Sequence, residues 1–160
     1  MYKVLLVPEL ATITAMGGHD IRPTPDVEKH VAFSVYTANK KLLLAQQCDL
    51  EDYFINLAKL SPERDAVIVY DRGYLDDIAY MSKEAYEFFV KTTGVSVEEI
   101  RDTRYDMVVH MVTAANGAPD HYTLANNKAR TEGIEEAIAI DNRIKEVWNG
   151  HPNHMYQKFI

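Results

Sequence analysis

Short apolar runs alternate along this chain with longer stretches in which apolar residues recur every three or four positions. Lys3 to Val7, Ala66 to Tyr70, Met107 to Val112 and Met155 to Ile160 read as strands, buried on both faces rather than alternating, as in a parallel sheet. From Asp26 to about Leu60 the spacing predicts one or two helices, with Val27, Val31, Val35, Leu42, Leu50, Phe54 and Leu57 as core positions. Pro62 ends that segment, because proline lacks an amide donor and disfavours helix in the residue before it. Asp76 to about Lys91 reads as the next helix, with Ile78, Ala79, Tyr86, Phe89 and Val90 inward and Gly94 as its stop. Ser96-Val97-Glu98-Glu99 matches a capping box and predicts a short helix to about Asp102. A last helix runs from Gly133 to Trp148, with an apolar stripe of Ile134, Ala137, Ile138, Ile144, Val147 and Trp148 before Gly150 and Pro152.

Strands that alternate with helices predict an α/β fold, a parallel sheet with helices on both faces, because parallel neighbours need long crossovers. At 160 residues and 47% hydrophobic content the chain fits one domain, residues 1–160. A net charge of -7 argues against nucleic acid as the main partner. Cys48 is the only cysteine, so no internal disulfide forms and a cytoplasmic setting fits. The apolar run Val4 to Val7 is too short for a signal peptide, and no run reaches membrane-spanning length. Arg22 to Asp26 reads as a loop, and the polar stretch from Asn116 to Thr131 as a possible lid.

The chemistry gathers at strand ends. Asp71 and Arg72 directly follow Ala66 to Tyr70, where α/β sheets keep their ligand sites. Asp71 suits either a proton-accepting or metal-holding role or a helix cap. Arg72 suits either an anionic or hydroxyl substrate or an ion pair with Asp76 or Asp77. Glu9, after Pro8 at the end of the first strand, is a substrate-side acid or an exposed loop carboxylate. No Gly-rich loop ending in Lys and Ser/Thr occurs. Arg101 and Arg104 are assigned to pairing with Glu98, Glu99, Asp102 and Asp106. His110 is read as a hydrogen-bonded core residue, His151 as part of a rigid turn, and the six histidines lack zinc-site spacing. Tyr53, Phe54, Tyr86, Phe88 and Phe89 are read as core.

Several blocks in fixed order carry a family resemblance: Val7-Pro8-Glu9-Leu10-Ala11-Thr12, Asp71-Arg72-Gly73-Tyr74-Leu75-Asp76, Arg101 to Asp106, His110 to Ala115, Asn126 to Glu132, and Gly150-His151-Pro152. Together they resemble the NadR-like ATPase/kinase domain of the P-loop NTPases, most closely the TRPL translocation defect group of ATP/GTP-binding proteins. The resemblance implies ATP or GTP bound with Mg²⁺, with Asp71 as base or metal partner. It further implies Arg72 and Glu9 on the acceptor, and Lys128 and Arg130 as lid cations, with Arg130 stabilising the transferring phosphoryl group. Relatives carry a first strand, a phosphate-binding loop and a helix ahead of the strand that here begins the chain. On that pattern the chain is an incomplete domain, missing a strand between Ala66–Tyr70 and the strand near Met107, with edges open to self-association. Little turnover is expected from these residues alone. The alternatives are a nucleoside-like small-molecule kinase in a longer protein, and a non-catalytic GTP- and phospholipid-binding trafficking module.

Overall fold

The computed structural model describes residues 2–18, 42–61, 65–123 and 132–157. Two compact units divide the chain, Met1–Tyr74 and Leu75–Ile160.

In the first unit, strand β1 (Lys3–Val7) leads through Pro8 and Glu9 into helix α1 (Leu10–Met16), and helix α2 (Leu42–Lys59) precedes strand β2 (Ala66–Tyr70). β1 and β2 are parallel, in register from Lys3 opposite Ala66 to Val7 opposite Tyr70. The ladder extends beyond both ends, where the Lys3 amide donates to the Asp65 carbonyl at 3.0 Å and the Asp71 amide to the Val7 carbonyl at 2.9 Å. Helix α2 packs against both strands. It buries Gln47 and Glu51, joined by a 2.8 Å hydrogen bond from Nε2 to Oε1, which satisfies a carboxylate that would be costly alone.

The expectation of strands buried on both faces is corrected here. Burial alternates, and the register sets Val4 against Val67 and Leu6 against Val69 on a face that stays open, with Val4 65% and Leu6 64% exposed. The composition suits cover on both sides, yet among the described residues α2 is the helix that packs on this sheet. Helix α1 falls where no helix was expected. Of the helix predicted from Asp26, the part before Leu42 lies outside the described residues, with Val27, Val31 and Val35. Tyr53 is exposed rather than core, since it falls on the outer side of α2.

The second unit opens with a 3-10 helix (Asp76–Tyr80), followed by α3 (Lys83–Thr93), α4 (Val97–Thr103), β3 (Val108–Met111), a 3-10 turn (Pro119–His121), α5 (Ile134–Val147) and β4 (His154–Gln157). The single helix predicted over Asp76 to Lys91 is thus two elements. Ser82 explains the break: its extended backbone and its hydroxyl, which accepts the Ala85 amide at 3.2 Å, start a new helix there. Gly94 closes α3 at φ 66°, and Ser96 caps α4 by accepting the Glu99 amide at 3.2 Å.

Strands β3 and β4 are parallel, Val108 opposite His154 through Met111 opposite Gln157. Leu75, Ala79, Phe89, Ile140, Ile144 and Trp148 form the core of this unit. The Trp148 indole donates to Asp76 Oδ1 at 2.6 Å, and Arg143 Nε donates to the Ala79 carbonyl, so α5 and the 3-10 helix are joined by polar as well as apolar contacts. Here too one sheet face is open, with Val109, Met111 and Met155 more than half exposed. Ile134 and Phe88, predicted inward, are also exposed, because Ile134 begins its helix beyond the packed turns and Phe88 lies on the outer side of α3.

Candidate functional site

The carboxyl ends of β1 and β2 bring together residues that are far apart in sequence. After Val7, Pro8 and Glu9 turn the chain, and Glu9 becomes the residue that leads into α1. After Tyr70 the chain leaves the sheet through Asp71 and Arg72. Arg72 has φ 83°, in the left-handed region, and among the described residues it is the one non-glycine residue there. Such a conformation costs on the order of 1–3 kcal/mol and marks places where the fold holds a side chain against its backbone preference.

That conformation points Arg72 at Glu9. Arg72 Nε donates to Glu9 Oε1 at 3.3 Å, with the two side chains 39% and 20% exposed. The second Glu9 oxygen accepts the Thr12 hydroxyl, so the carboxylate is held from both sides. Parallel pairing of β1 with β2 is what makes this meeting possible, since it places both strand ends at one edge. Asp71 stands beside them, exposed and without a side-chain partner among the described residues.

The structure brings three predicted site residues together: Glu9 and Arg72 are in contact, and Asp71 adjoins Arg72. Lys128 and Arg130 lie outside the described residues. Thr12 was missed; its signal is the Glu9 to Thr12 spacing of three, which matters once a helix is known to start at Leu10.

Arg101 and His151 stand as read from sequence, while His110, read as a hydrogen-bonded core residue, is buried but its Nε2 makes no hydrogen bond among the described residues. Arg101 pairs with Asp102 at 2.6 Å and donates to the Asn149 carbonyl at 3.1 Å. The Asp102 contact holds that carboxyl below the usual carboxylate range. His151 fixes its turn, with Nε2 2.9 Å from the Tyr105 carbonyl and Nδ1 accepting the Asn153 amide at 3.0 Å. His110 is buried 3.2 Å from Asp141. A cavity of about 380 Å³ in the second unit is lined by Ile78, Met81, Lys83, Tyr86, Val97 and Glu146 among others; no predicted site residue lines it.

A divalent cation is a fair fit to Asp71 as one oxygen ligand, since Mg²⁺ in phosphoryl-transfer sites takes one or two carboxylates and fills its sphere with phosphate oxygens and water. A protein-only cage is another matter: among the described residues no group of three or more His, Cys, Asp or Glu is placed to hold a metal.

A family model described as an AAA domain matches residues 4–158, nearly the whole chain. The chain belongs to this AAA-domain family of P-loop NTPases. It is therefore a nucleotide-binding domain, and the α/β architecture with short parallel sheets agrees with that assignment. No curated protein and no solved structure matches the chain. No helix among the described residues is long and apolar enough to cross a membrane. Within this AAA-type domain, the strand ends that carry Glu9, Asp71 and Arg72 are where such sheets present ligand-binding groups.

Proposed function

We propose that this domain binds ATP or GTP with Mg²⁺ and, once its phosphates are held, passes the terminal phosphoryl group to a hydroxyl of a small, nucleoside-like acceptor. The observation that carries the reading is the Arg72–Glu9 contact beside Asp71, built at the cost of a left-handed arginine. Glu9, fixed by Arg72 and Thr12, accepts a hydrogen bond from the acceptor and orients it. Asp71 takes the acceptor's proton or holds a metal-bound water. Mg²⁺, held by Asp71 and the phosphates, would supply positive charge to offset the phosphate oxygens, and Lys128 and Arg130 would add theirs to the same group.

Phosphoryl transfer depends above all on positioning the donor, and these 160 residues contain no Gly-rich loop ending in Lys and Ser/Thr. The reading therefore includes a strand, loop and helix that complete the domain, supplied with it in the active protein. Support comes from the open aliphatic faces: parallel sheets occur almost only with both faces covered. The absent loop equally favours a second reading, nucleotide binding without turnover, as in the trafficking proteins of the translocation defect group.

Melting the chain with ATP, GTP and Mg²⁺ separates these readings, because a ligand of the folded state raises Tm by mass action. A rise, together with transfer of labelled γ-phosphate to nucleosides, supports the kinase. A rise without transfer supports the binding module. No rise with any nucleotide, including in a longer chain that carries a phosphate loop, overturns both.

A further inference from the structure

Histidine, tyrosine and lysine converge where β4 lies along β3, on the side facing α5. The rings of His154 and Tyr156, two positions apart on β4, lie 4.4 Å apart between centroids, and the Tyr156 hydroxyl and His154 Nδ1 share a hydrogen bond at 3.1 Å. His110 of β3 faces both, its ring 6.2 Å from His154 and 5.8 Å from Tyr156. From α5, Lys145 Nζ sits 4.7 Å from the Tyr156 ring centroid, and Asp141 reaches His110. His151 approaches from the turn before β4.

The cluster has little negative charge to spare. Asp141 Oδ1 already accepts the Thr113 amide at 3.0 Å while lying 3.2 Å from His110 Nε2. Asp102, the acid that faces His151, is held by Arg101. His154 Nε2 is buried and has no hydrogen-bond partner among the described residues. A charged imidazole carries a proton on both nitrogens, so it leaves that one unmet.

We propose that His154 is an acid-sensitive latch: its neutral ring holds β4 against β3, and its protonation loosens β4 and opens the β3 edge. Burial is the main reason the charged ring is disfavoured, and His110, His151 and Lys145 add repulsion, so the pKa of His154 falls below its ordinary value of 6.5. The Trp148 carbonyl pulls the other way without reaching hydrogen-bond geometry. The unfolded chain then binds the proton more readily than the folded one, and stability drops as pH falls through the ordinary histidine value. The freed edge of β3 presents unpaired backbone groups, an invitation to pair with another strand.

The test is the melting temperature of the full chain from about pH 8 to about pH 5, with and without His154→Gln, which keeps a polar amide but cannot titrate. The wild-type Tm falls across this range and the variant's profile is flatter. Hydrogen exchange gives a local reading: on acidification the Val108 and Val112 amides, which donate to the Asn153 and Gln157 carbonyls at 3.0 and 2.9 Å, lose protection before the core of α5. Equal pH slopes in both proteins overturn the proposal. If the variant does not fold, the His154 ring resonance of the wild type decides: titration at or above the ordinary histidine value overturns it, and titration below, with early loss of β4 protection, supports it.

Discussion

Arg72 and Glu9, 63 positions apart in sequence, meet at 3.3 Å at the carboxyl edge of a parallel strand pair. The contact costs backbone strain at Arg72 and returns little stability, because a part-exposed ion pair contributes about 0–1 kcal/mol. The proposed function gives that strained arginine its task, to hold Glu9 and the acceptor at the strand end.

Arg72→Gly tests that balance. Glycine accepts φ 83° freely, so the relief of strain offsets the lost ion pair and stability stays within about 1 kcal/mol of wild type. Acceptor binding should be lost while the nucleotide-induced rise in Tm remains. A variant that keeps full acceptor affinity by calorimetry removes Arg72 from the site.

Trp148→Phe removes the indole donor to Asp76 while keeping an aromatic ring in the core. The loss should be about 1–3 kcal/mol, as for a hydrogen bond to a buried carboxylate. Denaturant unfolding of this variant, Asp76→Asn and the double substitution should reveal a coupling energy; strictly additive effects mean the contact carries nothing of its own.

Glycines 94 and 150 both have positive φ but differ in surroundings. An added Cβ at Gly94 meets nothing within 4 Å, whereas at Gly150 it sits 3.0 Å from Arg101 Cζ. Gly94→Ala therefore costs about 1 kcal/mol for backbone strain alone. Gly150→Ala costs more, and it displaces Arg101 from the Asn149 carbonyl, so thermal melts should rank it the less stable.

Leu6 and Leu75 separate the open face from the core. Leu75 is fully buried, so Leu75→Ala costs about 2–5 kcal/mol. Leu6→Lys, at a position 64% exposed, changes stability by about 0.5 kcal/mol or less. If the aliphatic face recruits a further copy, Leu6→Lys also lowers the sedimentation mass at high protein concentration. An unchanged mass profile rules that face out as a contact.

Local features were legible from sequence because their causes are local. Ser96 and Glu99 announce a helix start through a hydroxyl and an amide three residues apart, Gly94 announces a stop through its tolerance of φ 66°, and aliphatic runs announce strands. The strand-end position of Asp71 and Arg72 followed from the same reasoning. That Arg72 meets Glu9 did not: the contact follows from parallel register, which sets the ends of two strands far apart in sequence side by side and which no window of sequence contains. Equally, Val4 and Leu6 read as buried because hydrophobicity reports only what a side chain favours. Whether a face is covered depends on which helices pack across it, a property of the assembled chain, and so the exposure of that face and the meeting of buried His110 and Asp141 with half-buried His154 belonged to the tertiary structure alone.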